Sequence, residues 1–381
     1  MEKDPMQDPP LTAWIRDRIA AEGAVPFERF MEWALYHPEH GYYASGRAAP
    51  GRDEGDFTTA PQTSALFGRC LANIVAAADR ALGSPDPFWL VEGGAGEGRL
   101  ARDVLDALSA RAPELYARLA YAAEESGPAW GARQEENLAP HRARLREAPP
   151  ETFEGLYLSN ELVDAFPVHR LTRRGGELRE VFVGTRGDGF EELLRPPSRP
   201  ELADHLAADG IEVAEGQEVE VSLRAPEWLR GVARRLRRGY VVTVDYGDEA
   251  PRLYGPHRPR GTSAAYRSHA LSEDLLAAPG EQDLTAHVNF SALRRVGTEE
   301  GLESSPLLTQ RDFLFGAGLL EHVEALEAEG LAEQELLAAR RAVAPLLFPD
   351  QMGDAFRVLV QAREAPLDAL PLVPGRGQPG P

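Results

Sequence analysis

Apolar residues recur at helical spacing near the N-terminus, first at Leu11, Trp14, Ile15 and Ile19, then at Phe27, Phe30, Met31, Ala34 and Leu35. Gly23 breaks the pattern, and Pro26 suits the opening of a second helix. A polar loop from Ser45 to Asp56 follows, and Thr63–Leu82 returns to helical period. At Phe88 the texture changes to short apolar runs: a strand into Glu92, a weaker one over Leu119–Glu124, a third over Gly155–Asn160 and a fourth over Gly239–Asp245. The fourth is apolar almost throughout, as a central parallel strand should be. Between the third and fourth, Leu178, Val181 and Val183 alternate beside a Gly175–Gly176 turn signal, and Val213–Leu223 alternates again. This predicts a β-rich insertion, with a helix over Pro226–Arg238 leading back to the main sheet. Phe313–Leu347 reads as helix, Phe356–Val360 as a last strand, and the Pro- and Gly-rich tail from Ala365 as disordered.

The pattern divides the chain into an N-terminal helical extension with a loop (1–84), an α/β domain (85–364) with an insertion at about 171–225, and a tail (365–381). With 381 residues the chain has ample length for a buried core. Its 43% hydrophobic content contains no run long enough to span a membrane. The acidic start, Met1–Pro10, carries no apolar leader, so a cytoplasmic location is expected. A formal charge of −20 (41 basic against 61 acidic residues) repels phosphate backbones and excludes nucleic acid as the expected partner. Cys70, the single cysteine, reads as core filler, and no His, Cys and carboxylate spacing suggests a metal site.

The segment Phe88-Trp-Leu-Val-Glu-Gly-Gly-Ala-Gly-Glu-Gly98 is strand, glycine turn and then the start of an apolar helical pattern at Leu100. Such a frame holds nucleotide-like cofactors. A dinucleotide fingerprint counted from Gly94 and Gly96 needs a third glycine at 99, where Arg99 stands. The loop resembles instead that of class I S-adenosylmethionine methyltransferases. Glu92, Gly94, Gly96 and Gly98 are then cofactor-binding candidates. Glu124, at the end of the next strand, is the candidate for the ribose hydroxyls, with Glu125 as the alternative.

Further blocks have the same character: Gly55–Gly68, Ser159–Val168, Asp245–Gly247 and Asp283–Leu293, together with Phe27–Leu35, Gly41–Tyr43, Thr309–Gln310 with Phe313–Leu314, and Met352–Gly353. In this order the chain resembles the MidA-like S-adenosylmethionine methyltransferases, which include the mitochondrial complex I assembly-factor methyltransferase. The resemblance runs from about Ile15 to Leu359. It implies an α/β, Rossmann-like fold with a seven-strand, mostly parallel sheet, extra N-terminal helices and an insertion. It also implies S-adenosylmethionine as cofactor, and symmetric dimethylation of an arginine in a complex I subunit. A homodimer is kept open.

If the acceptor is a guanidinium, paired carboxylates suit it. They grip the planar fork and localise its charge on the far nitrogens. Glu161 and Asp164 stand one helical turn apart, so a helix would present both on one face. Asp245 follows the next strand, and His287 is a candidate proton acceptor. Asp164 and Asp245 equally suit capping roles, and Asn160, Asp56 and Thr58 are further candidates on the cofactor side. Gln62, Arg69 and Asn289 stand where the family carries acids. That motivates a second reading, a non-catalytic cofactor-binding assembly factor. A third is methyl transfer to another acceptor.

Overall fold

The computed structural model describes residues 10–45, 64–125, 130–267, 270–272, 274–328, 333–348 and 352–372. In chain order its strands are β1 Val25–Pro26, β2 Phe88–Gly93, β3 Leu119–Glu124, β4 Phe153–Asn160, β5 His169–Arg174, β6 Glu177–Arg186, β7 Gly189–Arg195, β8 Glu218–Val221 and β9 Leu236–Asp248. They continue as β10 Ala264–Arg267, β11 Ala270–Ser272, β12 Asp283–Thr285, β13 Val288–Asn289, β14 Glu303–Ser304, β15 Leu308–Thr309 and β16 Phe356–Arg363.

The central sheet has the order β14-β16-β9-β4-β2-β3, with β13 beside β9 and β15 beside β16. The pairs β3–β2, β2–β4, β4–β9 and β9–β13 are parallel, whereas β16 runs antiparallel to β9. The strands are apolar because both faces are covered. On one face the helices Ala65–Ala81 and Arg99–Arg111 pack with the helical region after Gln310, in a core that includes Phe67, Leu105, Phe313 and Phe356. On the other, the helices Arg224–Arg235 and Phe290–Glu299 pack around Tyr157, Leu229, Val241 and Phe290.

The alternating stretch between β4 and β9 forms an antiparallel sheet in which β6 pairs with β5 and β7, and β5 with β8. The two-residue strand β1 joins the same β6. The N-terminal helices Pro10–Glu22 and Phe27–Tyr36 are thereby built into this layer, with Phe30 packed edge-on against Phe190. The chain also stays ordered past Ala365: Tyr240 donates to the Pro366 carbonyl and Leu370 is buried. The expected disorder therefore does not extend over these first tail residues, because they cover the end of the core.

Gly155 and Gly239, the first residues of the predicted third and fourth strands, are direct neighbours across β4 and β9, and Gly155 also faces Trp89 in β2. At Gly155, with φ +146°, an added Cβ would lie 2.0 Å from the Trp89 carbonyl oxygen. That carbonyl cannot yield, since it is backbone in the sheet centre. Gly155→Ala is expected to destabilise the protein by about 3 kcal/mol or more, read as a lower denaturant midpoint at unchanged slope; a shift under about 1 kcal/mol would show that the three strands are not so closely packed.

Candidate active site

Chain order runs from β2 to β3 on one side and then to β4 on the other, so the sheet reverses direction of growth at β2/β4. Ligands bind beyond the carboxyl ends of strands at such a point. A cavity of about 970 Å³ opens there, lined among others by Glu92, Gly94, Gly96, Glu125, Asn160 and Glu161. That volume is at the upper end for small-molecule sites, roughly 300–1,000 Å³, and leaves room for a cofactor and an acceptor side chain together.

β2 ends in the glycine turn. Gly96 has φ +52°, and a Cβ built on it would meet nothing within 4 Å, so its backbone faces open space. Its N–H donates to Glu125 Oε2 at 3.0 Å, and Gln134 reaches its carbonyl at 2.5 Å. Glu92 is 3% exposed, and its carboxylate accepts from the Tyr121 hydroxyl at 2.8 Å. Burial pushes the Glu92 carboxyl up to about 7, against the smaller opposing effect of the Tyr121 hydrogen bond.

The segment after β4 is irregular rather than helical, so Glu161 and Asp164 do not share a helix face as the spacing predicts. They share a cavity wall instead. Glu161 holds φ +52°, a left-handed backbone unusual outside glycine. Its N–H donates to the Val244 carbonyl at 3.0 Å, and its carboxylate accepts from Asn160 Nδ2 at 2.9 Å. The Asn160 Oδ1 atom is sealed from water and has no hydrogen-bond partner among the described residues. Asp164 is buried, which raises its carboxyl above the usual range.

Four expected site residues are placed elsewhere. Glu124 is tied by both oxygens to Arg235 and receives the Tyr157 hydroxyl, so the neighbouring Glu125 is the acid at the cavity. Gly98 begins the helix Arg99–Arg111 and faces Leu138, not the cavity. Asp245 is fully buried behind the wall and accepts from the backbone N–H groups of Val163 and Asp164, at 2.8 and 3.3 Å. It fixes the loop that carries Asp164. His287 accepts from Arg258 at 2.8 Å and lies near Tyr246. Burial and then the Arg258 charge lower it to about 4, so it is a poor proton acceptor at neutral pH. Asp56, Thr58 and Gln62 fall outside the described residues. Of the other positions where an acid was expected, Asn289 caps the helix Phe290–Glu299 and Arg69 lies in the helix Ala65–Ala81, neither of them lining the cavity.

The sequence reading missed Tyr36, Tyr43, His169 and Asp283, all of which line the cavity. His169 is buried with Nδ1 2.6 Å from Glu180, itself fully buried. Asp283 accepts from the Tyr43 hydroxyl at 3.0 Å, across 240 residues of chain. Their signal was proximity to recognised blocks: His169 follows Pro167–Val168, and Asp283 begins its own block.

A family model described as "Putative S-adenosyl-L-methionine-dependent methyltransferase" matches residues 70–307. The chain belongs to that family. It is 30% identical to the mitochondrial protein arginine methyltransferase NDUFAF7 homolog of Drosophila melanogaster, over 95% of this chain and 88% of that protein. Against human mitochondrial NDUFAF7 the identity is 26%, covering 93% and 84%. A Burkholderia thailandensis protein crystallised with S-adenosyl-homocysteine is 36% identical and superposes with a TM-score of 0.85 over 94% of each chain. The fold is therefore the Rossmann-like methyltransferase fold, the chain is a methyltransferase and its cofactor is S-adenosylmethionine. The open backbone at Gly96 and the acids at the ends of β2 and β3 fit that ligand. The cytoplasmic location does not stand: these relatives are named mitochondrial. It rested on the acidic, proline-containing composition of residues 1–10, which does not specify a compartment.

The buried Glu92 makes stability depend on pH. An unfolded glutamate releases its proton near 4.3, whereas the folded chain keeps it to about 7. Between these values the folded state binds more protons, so Glu92 costs stability progressively as pH rises through that window. The ligand-free protein should lose unfolding temperature between pH 5 and 7.5, and Glu92→Gln should lose less; parallel curves for the two would show that Glu92 ionises freely in the folded state.

Proposed function

We propose that the chain methylates arginine side chains of a protein, and that Glu161 and Asp164 receive the guanidinium. The observation that carries this is Glu161 itself. A glutamate in left-handed backbone costs on the order of 1–3 kcal/mol, yet its N–H and carboxylate are both fastened in place beside Asp164. A planar cation offering two N–H groups matches such carboxylates. The relatives' name, protein arginine methyltransferase, supports the same acceptor.

On this reading Glu92, Gly94, Gly96, Glu125 and Asn160 hold S-adenosylmethionine, which supplies a methyl group on a sulfonium. Glu161 localises the guanidinium charge away from the nitrogen that is to be methylated, restoring that nitrogen's lone pair. Asp164, its carboxyl raised by burial, takes the proton that the methylated nitrogen gives up. Asp245 keeps the Asp164 loop in register through its two backbone contacts. A complex I subunit as acceptor and a homodimeric assembly extend this reading; the cavity's geometry requires neither.

The test is mass spectrometry of proteins from cells with and without the chain, followed by transfer of labelled methyl in vitro to whichever substrate is found. Glu161→Gln should lower turnover by about a hundredfold or more, with affinity for S-adenosylhomocysteine held within about twofold of wild type. Methyl groups found on lysine, glutamine or a hydroxyl, and none on arginine, would remove the acceptor assignment.

A further inference from the structure

Part of the cavity wall is contributed by distant parts of the chain. Tyr36 ends the helix Phe27–Tyr36, and the turn after it folds back, with the Tyr42 and Tyr43 N–H groups donating to Ala34 and Leu35. The Tyr36 and Tyr43 rings lie 5.5 Å apart. Tyr36 donates to the Ala165 carbonyl at 2.9 Å, beside Asp164, and Tyr43 donates to Asp283 Oδ1. Just beyond β12, the Ala286 N–H donates to the Asp164 carbonyl at 3.0 Å. The segments that carry Asp164 and Asp283 are thus joined by the Ala286–Asp164 backbone bond and through the neighbouring rings of Tyr36 and Tyr43, and both residues line the cavity. Asp283 is only 8% exposed. Burial, and then the charges of Asp283 and Asp164, hold both tyrosine hydroxyls protonated, so they remain donors.

Two carboxylates in one cavity wall beside two tyrosine rings attract a cation by charge, and it can also lie against the ring faces. A neutral side chain of the same shape lacks that attraction. Asn160, whose Oδ1 atom has no hydrogen-bond partner among the described residues, precedes Glu161 in the same wall.

We propose that Asp283, oriented by Tyr43, forms with Asp164 a clamp that binds the acceptor's cationic side chain, so that the N-terminal helical segment selects the substrate. This rests on the arginine reading but is separable from it, because any cationic acceptor would use the clamp.

The test uses the full chain saturated with S-adenosylhomocysteine and three pentapeptides differing only at the centre: arginine, citrulline and lysine. The wild type should bind the arginine peptide about tenfold or more tightly than citrulline, as one charge-assisted hydrogen bond provides. Asp283→Asn and Tyr43→Phe should each remove most of that preference while leaving S-adenosylhomocysteine affinity unchanged. If Asp283→Asn fails to fold, Tyr43→Phe decides. Equal binding of arginine and citrulline by the wild type, no saturable binding of any peptide, or a full preference kept by a folded variant would each overturn the clamp. Lysine bound as tightly as arginine, with both weakened by the substitutions, would uphold the clamp and count against the arginine assignment.

Discussion

Strand β2 is hydrogen-bonded on both edges to parallel neighbours, and the cavity depends on that double pairing. Each partner ends level with it: Gly93 lies opposite Glu124 on one side and Ser159 on the other. The chain must leave β2 toward β3 and return on the far side to make β4, so no crossover closes the space above their carboxyl ends. The glycine turn, Glu125 and the Asn160–Asp164 segment meet there because each follows one of these three ends. The close approach at Gly155 draws β4 against β2 and β9 without a side chain between them.

The cavity and the wall behind it concentrate acids where water is scarce. Glu92, Asp164 and Asp245 are all raised by burial. A core built for stability alone would put apolar groups at such positions, since desolvating a carboxylate costs several kcal/mol. Asp245 recovers part of this cost through three backbone N–H donors, those of Val163, Asp164 and Tyr246. Glu92 recovers part through one tyrosine. Asp164 and Glu92 line the cavity, so a cation bound there would offset part of the cost that remains.

The sequence was most legible where the chemistry is local. The strand–turn–helix at Phe88–Leu100 and the apolar run before Asp245 are written in contiguous residues, and both form as their patterns predict. It misled wherever side-chain direction decides. Glu124 and Glu125 are adjacent, and strand pairing alone sends the first to Arg235 and leaves the second at the turn. His287 had the right chemistry by type, but its strand connection buries it beside Arg258. The Tyr43–Asp283 contact joins two segments 240 positions apart, and no periodicity records that distance. Compartment is likewise unwritten in the folded pattern.

The backbone at Glu161 bears on how this protein can be changed. Selection for a more stable fold would favour glycine or asparagine there, since both tolerate positive φ. Either would relax the loop and remove the carboxylate. Thermostabilised variants chosen without an activity screen should therefore include changes at this residue, which take a carboxylate out of the cavity wall while the fold gains stability.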